Sequence, residues 1–529
     1  MQAKDLKCVR MCLRLLGNLC FDHPYNREEI LNAGGVPCIV ECLKLEDEEV
    51  MRIGAGCVAN ICSNTENICE LIYSLGGVDQ LLLLLRSTND NVQCMTSRAL
   101  RNICETEQIQ NYVYSKGTME YCINICNEAE DDDGMVVEFL GLINSLVASK
   151  TIFSDFLNKF EGIKFLLGLL IKATEANLIA DIQHFLDSIT ENEATRVTFE
   201  NYLPLLKSTY LNKNLKVEVR TCAGKTYSDI SQSDKFLSLF YNDLDDYLIW
   251  INDEEKEIQL VAAKLIGSVA RDEKNCLDMV KRGVATILIG IVQNEERDLR
   301  VRHYCTGTLR NLAIDPTNKK IIFQGGIMGP AINLLKNPNL NQVVVYQAIG
   351  LLKNLINGGE EYINSFVELG GIKNMVDLTS FDETEHIKFE SSRVVVLLFK
   401  TASVQQALLD AGGLHALKNL LASKFDLLHV EALAAAEALL NNGKQQSLGD
   451  PEVLKGFLTA AFPSEAPAGE KKPPNCSGAI VSFLVKFVEK GGLEALGKVV
   501  AENQWKNFSN PDNSEDAIKL STVLEPYKK

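Results

Sequence analysis

The chain has 529 residues, 53 Lys and Arg against 70 Asp and Glu, a formal net charge of −17, and 46% hydrophobic residues. Phosphate binding needs the opposite sign, so nucleic acid is excluded as the expected partner, and an acidic surface of this size favours a basic one. No run approaches the roughly 18–20 apolar residues of a membrane span, and the opening residues lack a signal-peptide core. The expected setting is cytoplasmic or nucleocytoplasmic, without integral membrane association.

Taken in order, the chain repeats itself. Leu16-Gly17-Asn18-Leu19-Cys20, Val58-Ala59-Asn60-Ile61-Cys62 and Leu100-Arg101-Asn102-Ile103-Cys104 place their asparagines 42 residues apart. Ile143-Asn144-Ser145-Leu146 continues at the same step, and Leu309-Arg310-Asn311-Leu312-Ala313 and Lys353-Asn354-Leu355-Ile356 resume the series 43 residues apart. Self-similarity at this period marks a solenoid, which grows by adding units and needs no single large core.

The first full unit shows what repeats. Residues 26–32 predict a short helix ended by Ala33-Gly34-Gly35, and residues 36–45 a second with Val36, Ile39, Val40 and Leu43 on one face. Glu46-Asp47-Glu48-Glu49 makes a turn whose charge suits the N-terminus of a third helix over 50–62, which carries Asn60. The glycine turn recurs as pairs at Gly76, Gly325, Gly370, Gly412 and Gly491, and as single residues at Gly117, Gly162 and Gly283. Three helices per unit with glycine after the first is the armadillo pattern; HEAT-type helix pairs lack that turn. The expected fold is all-α, a right-handed superhelical armadillo solenoid of about 11–12 repeats.

In the helix before Asn311, Val301, Cys305, Thr308, Leu309 and Leu312 form one apolar stripe, and Asn311 sits about 100° off it. In a right-handed stack the third helices line the concave groove, so the asparagines form a ladder whose amides can pair with a partner's backbone. Between Asn144 and Trp250 the signature fades: Leu186 and Ser228 fall on the pitch, and Pro204 and Lys213-Asn214 interrupt the pattern. Ser268 and Leu397 later stand in for the asparagine, and Asn441 closes the series. Pro463 to Pro474 is a charged, Pro-rich loop before a last unit over 479–500, and the tail from Trp505 reads as polar and loose. The expected division is regular repeats over 1–144, degenerate repeats over 145–249, regular repeats over 250–445, and a C-terminal repeat with loop and tail over 446–529. Because the first asparagine arrives at position 18 with no polar capping repeat before it, further repeats are expected upstream.

Chemistry of its own is not expected. Ala223-Gly224-Lys225-Thr226 resembles the end of a P-loop, but Val219 stands where the first glycine belongs and no strand precedes it. The six histidines show no HxxxH or HExxH spacing, and the sixteen cysteines include no CxxC. Cys12, Cys20, Cys57, Cys62, Cys104 and Cys305 fall on apolar helix faces, where a thiol acts as a small hydrophobe. No metal, cofactor or catalytic residue is predicted.

Two resemblances bear on function. An asparagine ladder is similar to that of importin-α, but importin-α carries a Trp one turn before each asparagine. Arg14, Gly56, Arg98, Leu140, Gly307 and Gly350 occupy those positions here. The run from Trp250 through Gln259-Leu260-Val261-Ala262 and Val269-Ala270-Arg271-Asp272-Glu273-Lys274-Asn275-Cys276 to Ile314 resembles the small-GTPase GDP-dissociation stimulators (SmgGDS). So do Ala99 to Cys104, Gly17 to Asp22 and Glu431-Ala432-Leu433. That resemblance implies binding of small GTPases of the Rho, Ras or Rap type whose C-termini are polybasic and prenylatable, with exchange or chaperone activity and no catalytic acid or base. Nucleotide release then needs only tighter binding of the nucleotide-poor GTPase. Asn60, Asn102, Asn144, Asn311 and Asn354, with Arg98 and Arg310, are the candidate groove contacts, and Glu105 and Asp272 the candidates for the basic tail. Each has a structural alternative, capping or bridging helices. The other functional alternative is an armadillo scaffold holding an extended peptide of a different partner.

Overall fold

Short apolar periodicities broken by glycine can only make short helices, and these must stack to bury their faces. The computed structural model describes residues 5–129, 132–336, 338, 341–462, 476–503, 505, 508 and 514–528, and every regular element among them is helical. The chain forms two compact units, one reaching Ser238 and one beginning at Leu239, each a stack of three-helix armadillo repeats.

The first full repeat consists of Pro24–Asn32, Gly35–Cys42 and Glu48–Ile61. Pro24 sits at the start of its helix, where a missing N–H costs nothing. The Asp47 carboxylate caps the third helix by accepting from the Val50 N–H at 2.9 Å. Between first and second helices Gly370 has φ 76°, a conformation that penalises any Cβ. The next glycine answers a different demand: a Cβ on Gly371 would lie 2.3 Å from the Phe366 ring. One repeat corrects the sequence reading. Glu161, not Gly162, takes the left-handed turn (φ 49°), while Gly162 makes room for the Phe156 ring.

In the first unit the third helices are Leu6–Cys20, Glu48–Ile61, Asp90–Ile103, Asp133–Leu146, Ala176–Thr190 and Val217–Ile230, each packed on the next. In the second they are Lys256–Val269, Leu299–Leu312, Gln342–Ile356, Glu385–Leu398, Asp426–Asn441 and Ser477–Phe487, again packed in succession. Val301, Cys305, Thr308, Leu309 and Leu312 are all buried, and each large aliphatic member contributes about 1.5–3 kcal/mol of burial. The degenerate stretch keeps its helices because its apolar spacing survives: Ile182, Phe185, Leu186 and Ile189 are buried. None of the sixteen cysteines is in a disulfide, and burial pushes Cys57 and Cys305 up to about 12.

The stretch from Pro463 to Pro474 lies outside the described residues. The tail departs from expectation. Ser514–Leu524 is a helix whose Ala517, Leu520 and Leu524 are buried, with the Ser482 hydroxyl donating to Asp516 at 2.6 Å. Three apolar residues at i, i+3 and i+7 suffice to seat it, although Lys519, Ser521 and Thr522 between them are polar. Among the described residues no single helix is long and apolar enough to cross a membrane.

Candidate partner-binding surface

Each third helix buries one face and leaves a half-exposed stripe along the other. On Asp90–Ile103 the stripe runs Cys94, Met95, Arg98, Arg101, Asn102. On Leu299–Leu312 it runs His303, Tyr304, Gly307, Arg310, Asn311. These are the positions at which neighbouring third helices also reach one another.

The ladder amides have a definite employment. Asn60 Nδ2 donates to the Gly17 carbonyl at 2.9 Å, Asn102 Nδ2 to Ala59 at 2.7 Å, and Asn354 Nδ2 to Arg310 at 2.8 Å. Each acceptor is the residue just before the asparagine of the preceding repeat. These carbonyls lie in the last turn of a helix, where no later amide need reach them. The Phe21 N–H turns to Asn18 and the Ile314 N–H to Asn311, so Gly17 and Arg310 are paired instead by the next repeat's amide. Asn311 reaches one turn further, to the Ala270 carbonyl at 3.4 Å. The ladder thus caps helices across repeats, at roughly 0.5–1.5 kcal/mol per bond. One amide N–H and the Oδ1 of Asn60, Asn311 and Asn354 stay available at the stripe, and Asn102 Oδ1 accepts from Arg101 Nε at 3.3 Å.

Two asparagines of the series stand elsewhere. Asn144 is exposed and makes no such bond; Ser145 occupies the ladder position, and its hydroxyl donates to its own helix at Leu142, 2.9 Å away. The register slips because Leu146-Val147, not Ser145-Leu146, form the buried pair equivalent to Ile103-Cys104. Asn441 lies past the buried Leu439-Leu440 pair, so Ala438 holds its repeat's ladder position.

The arginines are held by the following repeat. Arg98 forms an ion pair with Glu138, its Nε donating at 3.1 Å, and this pairing raises the Arg98 pKa. The Arg310 guanidinium lies 5.3 Å from the Tyr346 ring centroid and donates to Gln347 Oε1 at 3.2 Å. It rests on Gly350, where a Cβ would come within 2.4 Å of its Nε; Arg101 rests likewise on Gly141. Glycine at these points makes the seat for the guanidinium.

Glu105 and Asp272 lie just beyond their third helices, both exposed. Partial burial of its carboxyl raises Glu105, with the Asn64 and Thr65 amides opposing. Asp272 caps the Glu273–Lys281 helix by accepting from the Asn275 N–H at 3.1 Å.

Sequence reasoning missed the charges that join the stripes. Lys353 donates to Glu390 at 2.6 Å, Glu390 also accepts from Arg393 at 2.8 Å, and Arg393 forms a two-pronged pair with Glu431 at 2.9 and 2.7 Å. This network crosses three successive third helices. Arg300–Glu257 in the second unit and Lys225–Asp187 in the first follow the same plan. The stripe therefore carries both signs in pairs and is not the uniformly acidic surface that net charge suggested. Opposite charges 37 to 43 residues apart, close to one repeat, were the available signal. A cavity of about 570 Å³ in the first unit lies away from the stripe among Pro24, Glu28, Asn64, Thr65 and Glu66.

The Armadillo/beta-catenin-like repeat family matches residues 65–105. Rap1 GTPase-GDP dissociation stimulator 1-B of Xenopus laevis is 22% identical over 454 residues, which cover 82% of this chain and 68% of that protein. The chain is an armadillo-repeat protein distantly related to the Rap1 GTPase-GDP dissociation stimulators. Darlin of Dictyostelium discoideum is 20% identical over 75% of this chain and 58% of its own length. Among solved structures, an engineered protein aligns over 83% of this chain and 96% of its own, with 21% identity and a TM-score of 0.43.

Proposed function

We propose that this chain binds small GTPases of the Rho, Ras or Rap type with polybasic, prenylatable C-termini, and that it stimulates GDP release or chaperones the GTPase by binding alone. The reading is carried by the extent of the relationship, which runs through most of the chain and so through both sets of third-helix stripes. Arg98, Arg310 and the free amide edges of Asn60, Asn311 and Asn354 are the proposed contacts, with Glu105 and Asp272 facing the basic tail. Release follows if those contacts are better satisfied by the nucleotide-poor GTPase than by its GDP complex, because only that difference shifts the equilibrium. An extended peptide of another partner is the second reading, supported by the same amide edges, which could pair with peptide backbone.

The test is release of a fluorescent GDP analogue from a Rho- or Rap-type GTPase, with and without its polybasic tail. Faster release that weakens as salt rises and as the tail is removed supports the proposal. Salt-sensitive binding without faster release leaves the chaperone role alone. Absence of binding to any polybasic GTPase removes the reading.

A further inference from the structure

The second unit brings together three metal-ligating side chains. Asp426 opens the Asp426–Asn441 helix, His429 follows one turn later, and Cys476 stands immediately before Ser477–Phe487. Their ligand atoms all lie within 4.8 Å of one another. Asp426 and His429 are 23% and 13% exposed, so the cluster is sheltered but not sealed from solvent.

The proton arrangement argues against a simple acid–base pair. His429 Nε2 lies 2.9 Å from the Ser423 carbonyl, which can only accept, so this nitrogen carries the hydrogen. In the neutral ring Nδ1 is then a bare lone pair. It faces the Asp426 carboxylate at 3.8 Å, too long for a hydrogen bond, with the Cys476 sulfur beside them. The Cys476 thiol turns its hydrogen to the Asp426 backbone carbonyl at 4.0 Å and not to Nδ1, and a metal would displace that proton as the thiolate binds. An imidazole whose other N–H is tied to a backbone carbonyl is the usual outer support of a metal-bound histidine.

We propose that Asp426, His429 and Cys476 bind a divalent metal ion, zinc by donor set, joining the N-terminal ends of two successive third helices. One oxygen, one nitrogen and one sulfur match zinc's preferences, and a water or a partner's donor completes a tetrahedron. Donor atoms around zinc lie about 3.5 Å apart, so closing the cluster takes a movement of about 1 Å, within reach of side-chain rotation. Sequence spacing hides the site because Cys476 lies 47 residues from His429.

The test uses the full chain stripped by chelation and titrated with Co²⁺. A thiolate-to-cobalt charge-transfer band should grow to one equivalent and vanish on adding Zn²⁺. Cys476→Ser should abolish the band. Asp426→Asn and His429→Asn should weaken binding by more than the roughly 10–100-fold cost of a lost outer-shell partner. Zinc should raise the melting temperature of the wild type and not of Cys476→Ser. No band, or one of full strength in Cys476→Ser, overturns the proposal. Wild-type affinity in Asp426→Asn, a near-isosteric change that leaves the fold alone, overturns it independently.

Discussion

Replacing Gly350 by Ala separates the stability of the stripe from its binding role. A Cβ at position 350 would meet Arg310 Nε at 2.4 Å and its Cδ and Cζ at 2.7 Å, so the guanidinium must leave its seat. The displaced arginine gives up its place over Tyr346, worth about 0.5–1 kcal/mol. It also loses the hydrogen bond to Gln347, worth about 0.5–1.5 kcal/mol. Against this, alanine in a helix interior is about 0.8–1 kcal/mol better than glycine. The losses sum to about 1–2.5 kcal/mol against that gain, so denaturant unfolding should find Gly350→Ala less stable than the wild type by no more than about 1.7 kcal/mol. Affinity for a GTPase should nonetheless fall by more than about fivefold if Arg310 is a contact of more than about 1 kcal/mol. Arg310→Ala should do the same, and the double variant should be no worse than Arg310→Ala, because both act through one side chain. Unchanged affinity in both single variants would refute Arg310 as a contact; additive losses would mean that Gly350 acts by another route.

Other expectations follow from the same contacts. Asn60→Ala and Asn354→Ala should each cost about 1 kcal/mol in equilibrium unfolding, by freeing a helix-end carbonyl, whereas Asn144→Ala should cost nothing measurable. Glu161→Gly should stabilise by up to about 1 kcal/mol by relieving a left-handed residue, and Gly370→Ala should destabilise by about 1–2 kcal/mol. Burial acts to raise the Glu390 carboxyl, but Lys353 and Arg393 outweigh it and hold it below the usual range. Its stabilisation is complete above the unfolded value of about 4.3 and is lost as pH falls through the lower folded value. Melts should therefore show the wild type losing stability in acid more steeply than Glu390→Gln, while at neutral pH the variant is the less stable by about 1–3 kcal/mol. Equal acid slopes would remove the linkage.

The period, the helix order and the glycine turns were legible because each rests on local chemistry: apolar spacing selects helices, and positive φ selects glycine. Register was less so. Asn144 matched the 42-residue step, yet the buried Leu146-Val147 pair puts Ser145 on the ladder, a shift that arithmetic on asparagines cannot detect. The fate of the amides was also out of reach. An asparagine on the flank of an apolar face looks the same whether it serves a partner or the carbonyl of the preceding helix, and only stacking decides between them. The Lys353–Glu390–Arg393–Glu431 network was easy to overlook for a related reason. Each charge taken alone is an ordinary surface residue, and only the repeat-length offset makes them neighbours.

These prior commitments bear on how such a surface could bind. A guanidinium resting on a neighbour's glycine, or an amide fixed by a neighbour's carbonyl, has already lost most of its rotamer freedom, about 0.5–1.5 kcal/mol per long side chain that need not be given up on association. The same fixation limits net affinity, because Arg98 must share or surrender Glu138 before it serves a partner. A stripe built this way gains little from any flexible polar chain and most from a surface whose groups arrive in the matching positions. For a stimulator of nucleotide release that is the useful balance. On the function proposed above, a GTPase would have to fit the stripe better without GDP than with it, and rigid, pre-paired contacts would convert a small change of GTPase shape into a difference in binding that mobile side chains would absorb.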